Sequence, residues 1–324
     1  MNAHRPDACR LLLALALGVL FAACAKPVEP DPQHKPAASV LEVVAVLRRH
    51  VPDDTYRFVP ARDFTGRNVY RSSLLRLENI EKAHEEALRA GQFDDVIAFS
   101  KARAMERLRA FELAATSYRR AAERDGPLRE DALRSASICD SLAEAARIGF
   151  DPDRPEEDTD APPPTEGEAI VAASDQRLAL LQALLAEAQG THYVYVIEEE
   201  MERADVARAQ YFVASRRLSP DGDVRALAEL QRVTERHKES KNANRHLIAL
   251  ADLYGDLARE YVTKHPPEGL LFDPPTFQEL VDSASRLYEA VGTQDGTPEK
   301  LEASQRLEAL LAFTLEVDSD RFTP

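Results

Sequence analysis

Residues 95–128 read DVIAFSKARAMERLRAFELAATSYRRAAERDGPL, and their spacing decides the fold class. Two helical runs meet inside this stretch, over about 93–108 and 110–125, and Gly126-Pro127 stops the second. Small residues Ala102, Ala114 and Ala121 fall where two helices must approach closely. Phe111 and Tyr118, one face apart by two turns, are placed to fill the space beside them. Outward from this core the pattern continues. A helix over about 128–147 follows. Upstream, Asn68 to Ala90 puts Leu74, Leu77, Ile80, Ala83 and Ala87 on one face, and Gly91 closes it. Ser39 can cap a still earlier run, VLEVVAVLRR, and YRFV between Pro52 and Pro60 is the best short strand candidate.

The stretch 95–128 resembles the tetratricopeptide (TPR) repeat, a 34-residue helical hairpin. In that frame small residues stand at the eighth, twentieth and twenty-seventh places, here Ala102, Ala114 and Ala121, and aromatics stand at the seventeenth and twenty-fourth, here Phe111 and Tyr118. Gly126 occupies the usual proline place, with Pro127 one later. The following residues carry Ala132, Ala136 and Cys139 as a first helix, and looser echoes occur at 247–258 and 283–313. The resemblance implies an all-α, TPR-like superhelix with a groove that holds peptides or partner helices and performs no chemistry of its own.

Residues 151–168, DPDRPEEDTDAPPPTEGE, hold eight acids against Arg154 alone, with five prolines. Such a block stays solvated and reads as a linker. Beyond it the punctuation Gly190, Ser219-Pro220-Asp221-Gly222, Pro266-Pro267, Pro274-Pro275 and Gly296-Thr297-Pro298 separates helices near 169–189, 192–217, 222–239, 242–264, 275–291 and 298–316. THYVYVI at 191–197 has strand-like composition but no partner strand, so it is assigned to helix.

The N-terminus reads MNAHRPDACRLLLALALGVLFAAC. Arg5 and Arg10 precede a 13-residue apolar run, Leu11 to Ala23, which suits a signal peptide and is short of the ~20 residues a membrane-spanning helix needs. Ala22-Ala23-Cys24 after Leu20-Phe21 resembles the lipobox of bacterial lipoproteins, with Phe21 where leucine is usual. The resemblance implies that Cys24 carries palmitate-type acyl chains as the mature N-terminus, and Ala25 after it resembles the outer-membrane sorting signal. Pro27, Pro30, Pro32 and Pro36 then make a semi-rigid tether that can hold a domain up to ~40 Å from a bilayer. The expected organisation is a signal peptide (1–23), a Pro-rich tether (24–37), an N-terminal TPR-like domain (38–150), an acidic linker (151–168) and a C-terminal helical-repeat domain (169–324). The expected place is the cell envelope, at the outer membrane facing the periplasm.

Composition narrows the function. The 324 residues carry 41 Lys and Arg against 56 Asp and Glu, a formal charge of −15, which disfavours nucleic acid as a partner. Aromatics are 6% with no Trp, against stacking sites, and Gly is scarce at 12, against phosphate-cradling loops. No Walker loop, GxSxG, CxxC or HExxH occurs, so no cofactor, metal or small-molecule substrate is expected. Cys139 reads as a core thiol. Glu81-Lys82-Ala83-His84 is a single Glu-x-x-His, and the acidic run Glu198 to Glu202 reads as a solvated face. HKESKNANRH at 237–246 faintly resembles the Glu-Ser stretch of lytic transglycosylases, with Glu239 as the acid, but Lys238 and Lys241 flank it. A cluster of Arg103, Arg107, Arg109, Arg119, Arg120 and Arg124 interrupts the acidic balance, and Arg119, Arg120 and Arg124 are the candidate contacts for an acidic partner. The expectation is a non-enzymatic lipoprotein scaffold bound to the bilayer through Cys24. Its partner would be an envelope protein or peptide, and the rival is a constitutive subunit of an assembly machine.

Overall fold

Alanine-rich, proline-punctuated segments with an apolar residue every third or fourth place have little choice but helix, and helix is what they form. The structure, a computed structural model, describes residues 40–41, 44–45, 62, 65–90, 93–149 and 167–322. Among these it contains ten α-helices and one isolated bridge, Arg62 to Asn68, with no strand. The helices are α1 (Val69–Ala90), α2 (Asp94–Arg107), α3 (Phe111–Ala122), α4 (Arg129–Arg147), α5 (Gly167–Glu187), α6 (Tyr193–Ser215), α7 (Gly222–Arg236), α8 (Ala243–Lys264), α9 (Pro274–Gly292) and α10 (Glu299–Phe322). A 3-10 turn, Arg216–Leu218, follows α6. The signal peptide, Cys24, the tether and YRFV lie outside the described residues, as do 151–166 of the expected linker. Gly167 and Glu168, expected as linker, instead open α5.

Each helix packs on its sequence neighbours from α1 to α10, and α8 also touches α10. The buried sets overlap in the same order. Val40 and Ile97 pack beside Leu88, and Tyr70, Leu77 and Ala104 join α1 to α2. The largest set runs from Ala98 in α2 to Ala204 in α6. It includes Ala132 and Leu142 of α4 together with Leu178 and Leu181 of α5, so apolar packing continues across the acidic segment. Two further sets join α6, α7 and α8, then α8, α9 and α10.

Ala102, Phe111, Ala114, Tyr118 and Ala121, expected to pack a repeat, are all buried. Along α3 the buried positions are Phe111, Ala114, Ala115, Tyr118, Ala121 and Ala122, one helical stripe. Phe99 meets Tyr118 edge to face at 5.1 Å. At the α6–α7 turn only glycine fits, because a Cβ at Gly222 would overlap the Arg216 carbonyl. Helix α5 is long and apolar enough to cross a membrane, with mean hydropathy 1.3. One face of it packs into the stack, where Leu178, Leu181 and Leu184 are buried together with Arg177 at its centre.

Helix α6 explains the strand-like YVYVI segment. Tyr193, Val196, Ile197, Glu200, Met201, Glu202, Ala204, Asp205, Ala207, Ala209 and Phe212 are all buried, covering most of the helix circumference. A helix enclosed on several sides needs bulky apolar residues all round, so β-branched and aromatic residues serve it despite their weak helix propensity.

Candidate functional site

The polar groups that the sequence places in the interior converge on α6 and on the ends of α2 and α3. Glu106, in the last turn of α2, is 1% exposed. It accepts the Tyr118 hydroxyl at 2.8 Å and lies 3.0 Å from His192 Nε2, just before α6. Arg103 and Arg107 stand 3.8 and 4.0 Å from it. Burial pushes the Glu106 carboxyl up, but His192, then Arg103 and Arg107, outweigh burial and hold it well below the usual carboxylate range. Burial lowers His192 against the pull of Glu106, which leaves the ring neutral near pH 7. Arg103 Nη1 contacts both ring nitrogens of His192, Nδ1 at 3.0 Å and Nε2 more closely, so the ring sits between Glu106 and Arg103. Burial and the Glu106 charge push up the Tyr118 and Tyr193 phenols and the Cys139 thiol. Cys139 is free, buried and held protonated, which removes it as a nucleophile.

A second carboxylate, Glu200, joins three elements. Arg109 forks onto it, Nε at 2.6 Å and Nη2 at 3.0 Å, and Arg177 of α5 donates to it at 3.1 Å. Arg109 sits in the α2–α3 turn with φ +62°, a left-handed backbone that a non-glycine residue adopts at a cost. Two more acids of α6 face the other way. Glu202 accepts Ser240 at 2.6 Å and His246 at 2.5 Å. Asp205 accepts His237 at 2.8 Å and Arg232 at 2.5 Å. Burial raises both carboxyls, and these hydrogen bonds more than reverse it. The run Glu198 to Glu202 is therefore no uniformly solvated face: Glu200 and Glu202 are each 2% exposed and bind opposite halves of the stack.

The arginines expected to meet a partner are already engaged. Arg119 pairs with Asp140 of α4, Arg120 with Glu81 of α1 at 2.8 Å, and Arg124 with Asp94 of α2. Arg119 and Arg120 tie α3 to α4 and α1, Arg124 just past α3 ties it to α2, and Arg119 and Arg120 remain 54% exposed. Arg103 and Arg107, read as part of the same cluster, are drawn inward by Glu106. Glu81, from the lone Glu-x-x-His, is taken by Lys101 and Arg120, and among the described residues no group of three His, Cys, Asp or Glu could hold a metal. Glu239 stands exposed in the α7–α8 turn. Sequence reasoning missed Glu106, His192 and Glu200. The signal available was the apolar content all round α6, which marks an enclosed helix whose acids need buried partners. No protein-family model matches the chain, and no curated protein is significantly similar to it.

Proposed function

We propose that this chain is a membrane-tethered scaffold of the cell envelope, a TPR-like superhelix held off the outer membrane by an acylated Cys24 and a proline-rich tether. The observation that carries the reading is the consumption of buried reactive groups in helix-to-helix ties. Glu106, Glu200, Glu202 and Asp205 each bind cations or imidazoles from other elements, and Cys139 is held protonated. A stack spending its polar groups on its own junctions suits a rigid display surface for another protein, not catalysis. The reading assigns no cofactor, metal or small-molecule substrate. The rival is a constitutive subunit of an envelope assembly machine, which would share the anchor and the stack.

Metabolic labelling with a palmitate analogue tests the tether; a soluble, unlabelled protein unchanged by Cys24→Ala removes it. Affinity purification from crosslinked membranes tests the scaffold. Since Arg119, Arg120 and Arg124 are tied to Asp140, Glu81 and Asp94, two variants are needed. Reversal of the three arginines to Glu should lose an acidic partner. Asp140→Ala, Glu81→Ala and Asp94→Ala together should free the arginines and retain or strengthen it. Specific recovery of no envelope protein by any form refutes the reading.

A further inference from the structure

Hydroxyls on these helices commonly turn back on their own backbone. Ser215, Thr234, Ser304 and Thr314 each donate to the carbonyl four residues earlier, at 2.7 to 3.0 Å. Ser174 of α5 does not. It is 7% exposed, and its Oγ has no hydrogen-bond partner among the described residues. A hydroxyl shut away from water and left unpaired destabilises the fold. Ser174 lines a small cavity where the end of α4 meets α5 and α6. Ile148, Ile170 and Ala204 form its apolar walls, and the other polar side chains lining it are Arg177 and Arg208. Arg177 is 1% exposed. It donates to Glu200 at 3.1 Å, and Arg208 donates to Asp175 at 2.8 Å and to Glu229 at 2.7 Å. None of these three acids lines the cavity, and neither does any other carboxylate among the described residues. The space suits a single guest about the size of a water molecule.

We infer that this cavity is a binding site for one small monovalent anion of the chloride type. The donor set decides the charge. Two guanidinium groups and one hydroxyl line the space, and a guanidinium has no acceptor. A water molecule would bring two protons of its own, with only the Ser174 oxygen among the lining side chains to accept one. A halide brings none and accepts the hydroxyl proton directly. The apolar walls exclude water and lower the local dielectric, which strengthens attraction to the buried Arg177 charge. Size excludes sulfate and phosphate, which are larger than the space. The walls come from both sides of the acidic segment, so the ion ties the end of α4 to α5 and α6. It is a structural ion, not a substrate, and the inference stands apart from the tether and scaffold readings.

The test compares chloride with gluconate, an anion too large for the cavity, on the purified full chain at constant ionic strength. Chloride at about ten times its dissociation constant should raise hydrogen-exchange protection in α4, α5 and α6 by about tenfold. Gluconate should not. Ser174→Ala removes the donor proton, and Ser174→Val also fills the space. Both variants should lose the chloride effect while keeping the circular dichroism spectrum and the native protection of α8. Chloride NMR line widths read binding directly: the native chain should broaden the line beyond the Ser174→Val chain at equal concentration. Should Ser174→Val fail to fold, Ser174→Ala carries the same comparison. Equal protection in chloride and gluconate overturns the inference, and so do equal line widths for native and variant chains. A chloride effect that survives both substitutions overturns it as well, because the ion then binds elsewhere.

Discussion

Replacing Glu106 by Gln keeps the side-chain volume and removes one charge. In the native protein that charge faces Arg103 and Arg107, accepts Tyr118 at 2.8 Å and meets His192 at 3.0 Å. All of this lies at a residue 1% exposed, so water cannot stand in for the lost partner. Breaking one side of a buried ionic network typically costs about 3–5 kcal/mol, mostly from the cations left uncompensated. Gln still accepts one hydrogen bond, which places Glu106→Gln near the lower end, at about 3 kcal/mol, a factor of ~100 in the folding equilibrium. The matched control is Glu85→Gln. It breaks the Arg89–Glu85 pair, whose side chains are 67% and 62% exposed, and should cost under ~0.5 kcal/mol. A stack packed mainly between sequence neighbours need not unfold in one step, so urea denaturation should be read with hydrogen exchange resolved to α2, α3 and the start of α6. Adding Arg103→Met to Glu106→Gln removes one orphaned cation, and the double variant should recover at least ~1 kcal/mol relative to additivity. If Glu106→Gln costs no more than Glu85→Gln, the network is not what joins α2 to α6.

The remaining expectations use other parts of the same junctions. Acid should weaken the fold in two stages. His192 has a depressed native pKa, so its contribution is complete above the ordinary histidine value near 6.5 and fades as pH falls below it, and His192→Gln should abolish this first stage. Glu106, Glu202 and Asp205 are likewise depressed, so their contributions are complete above about pH 4.5 and are lost as pH falls through their native values, a second, steeper loss seen by pH-dependent urea midpoints. Arg109→Ala should destabilise by about 2 kcal/mol through loss of the fork onto Glu200. Arg109→Gly should destabilise by about 1 kcal/mol less, because it also relieves the φ +62° backbone; equal losses would refute the strain argument. Cys139 should resist thiol reagents at pH 8 and react stoichiometrically in denaturant, and rapid native labelling would contradict its burial.

The helical class and most helix breaks were legible because proline and glycine act locally, although the last helix runs on to Phe322, past the expected end at 316. Gly190 and Gly296 lie just outside α5 and α10 with φ +78° and +83°, a conformation glycine adopts without cost. The α2–α3 packing set was legible because it repeats within one hairpin. The candidate site was not, because its partners are remote: Arg109 and Glu200 are 91 residues apart, and Glu106 and His192 are 86 apart. No local pattern encodes such a pair. The acidic run 198–202 was misread for a related reason. Adjacent acids point to different sides of a helix, and a solvated helix is the usual consequence. Only a helix covered on several sides buries Glu200 and Glu202 together, and that covering is a property of the whole stack.

That covering also bears on how a groove would be built. In a uniform TPR array every first helix lines the concave surface, yet α6 has most of its circumference buried by α5, α7, α8 and the α2–α3 turn. A partner lying along the stack would therefore meet α6 only through its part-exposed stripe, Tyr195, Glu199, Arg203 and Val206, of which Glu199 is already held by Arg203 and Lys241. The buried acids tie α6 on two sides. Glu200 faces the N-terminal helices, and Glu202 and Asp205 face the C-terminal ones. Neutralising Glu200 alone should loosen α2 and α3 from α6 while leaving α7 and α8 protected in hydrogen exchange. Glu202→Gln should do the reverse. Equal loosening of both halves by either variant would mean that α6 is one cooperative core rather than a joint between two sets of helices.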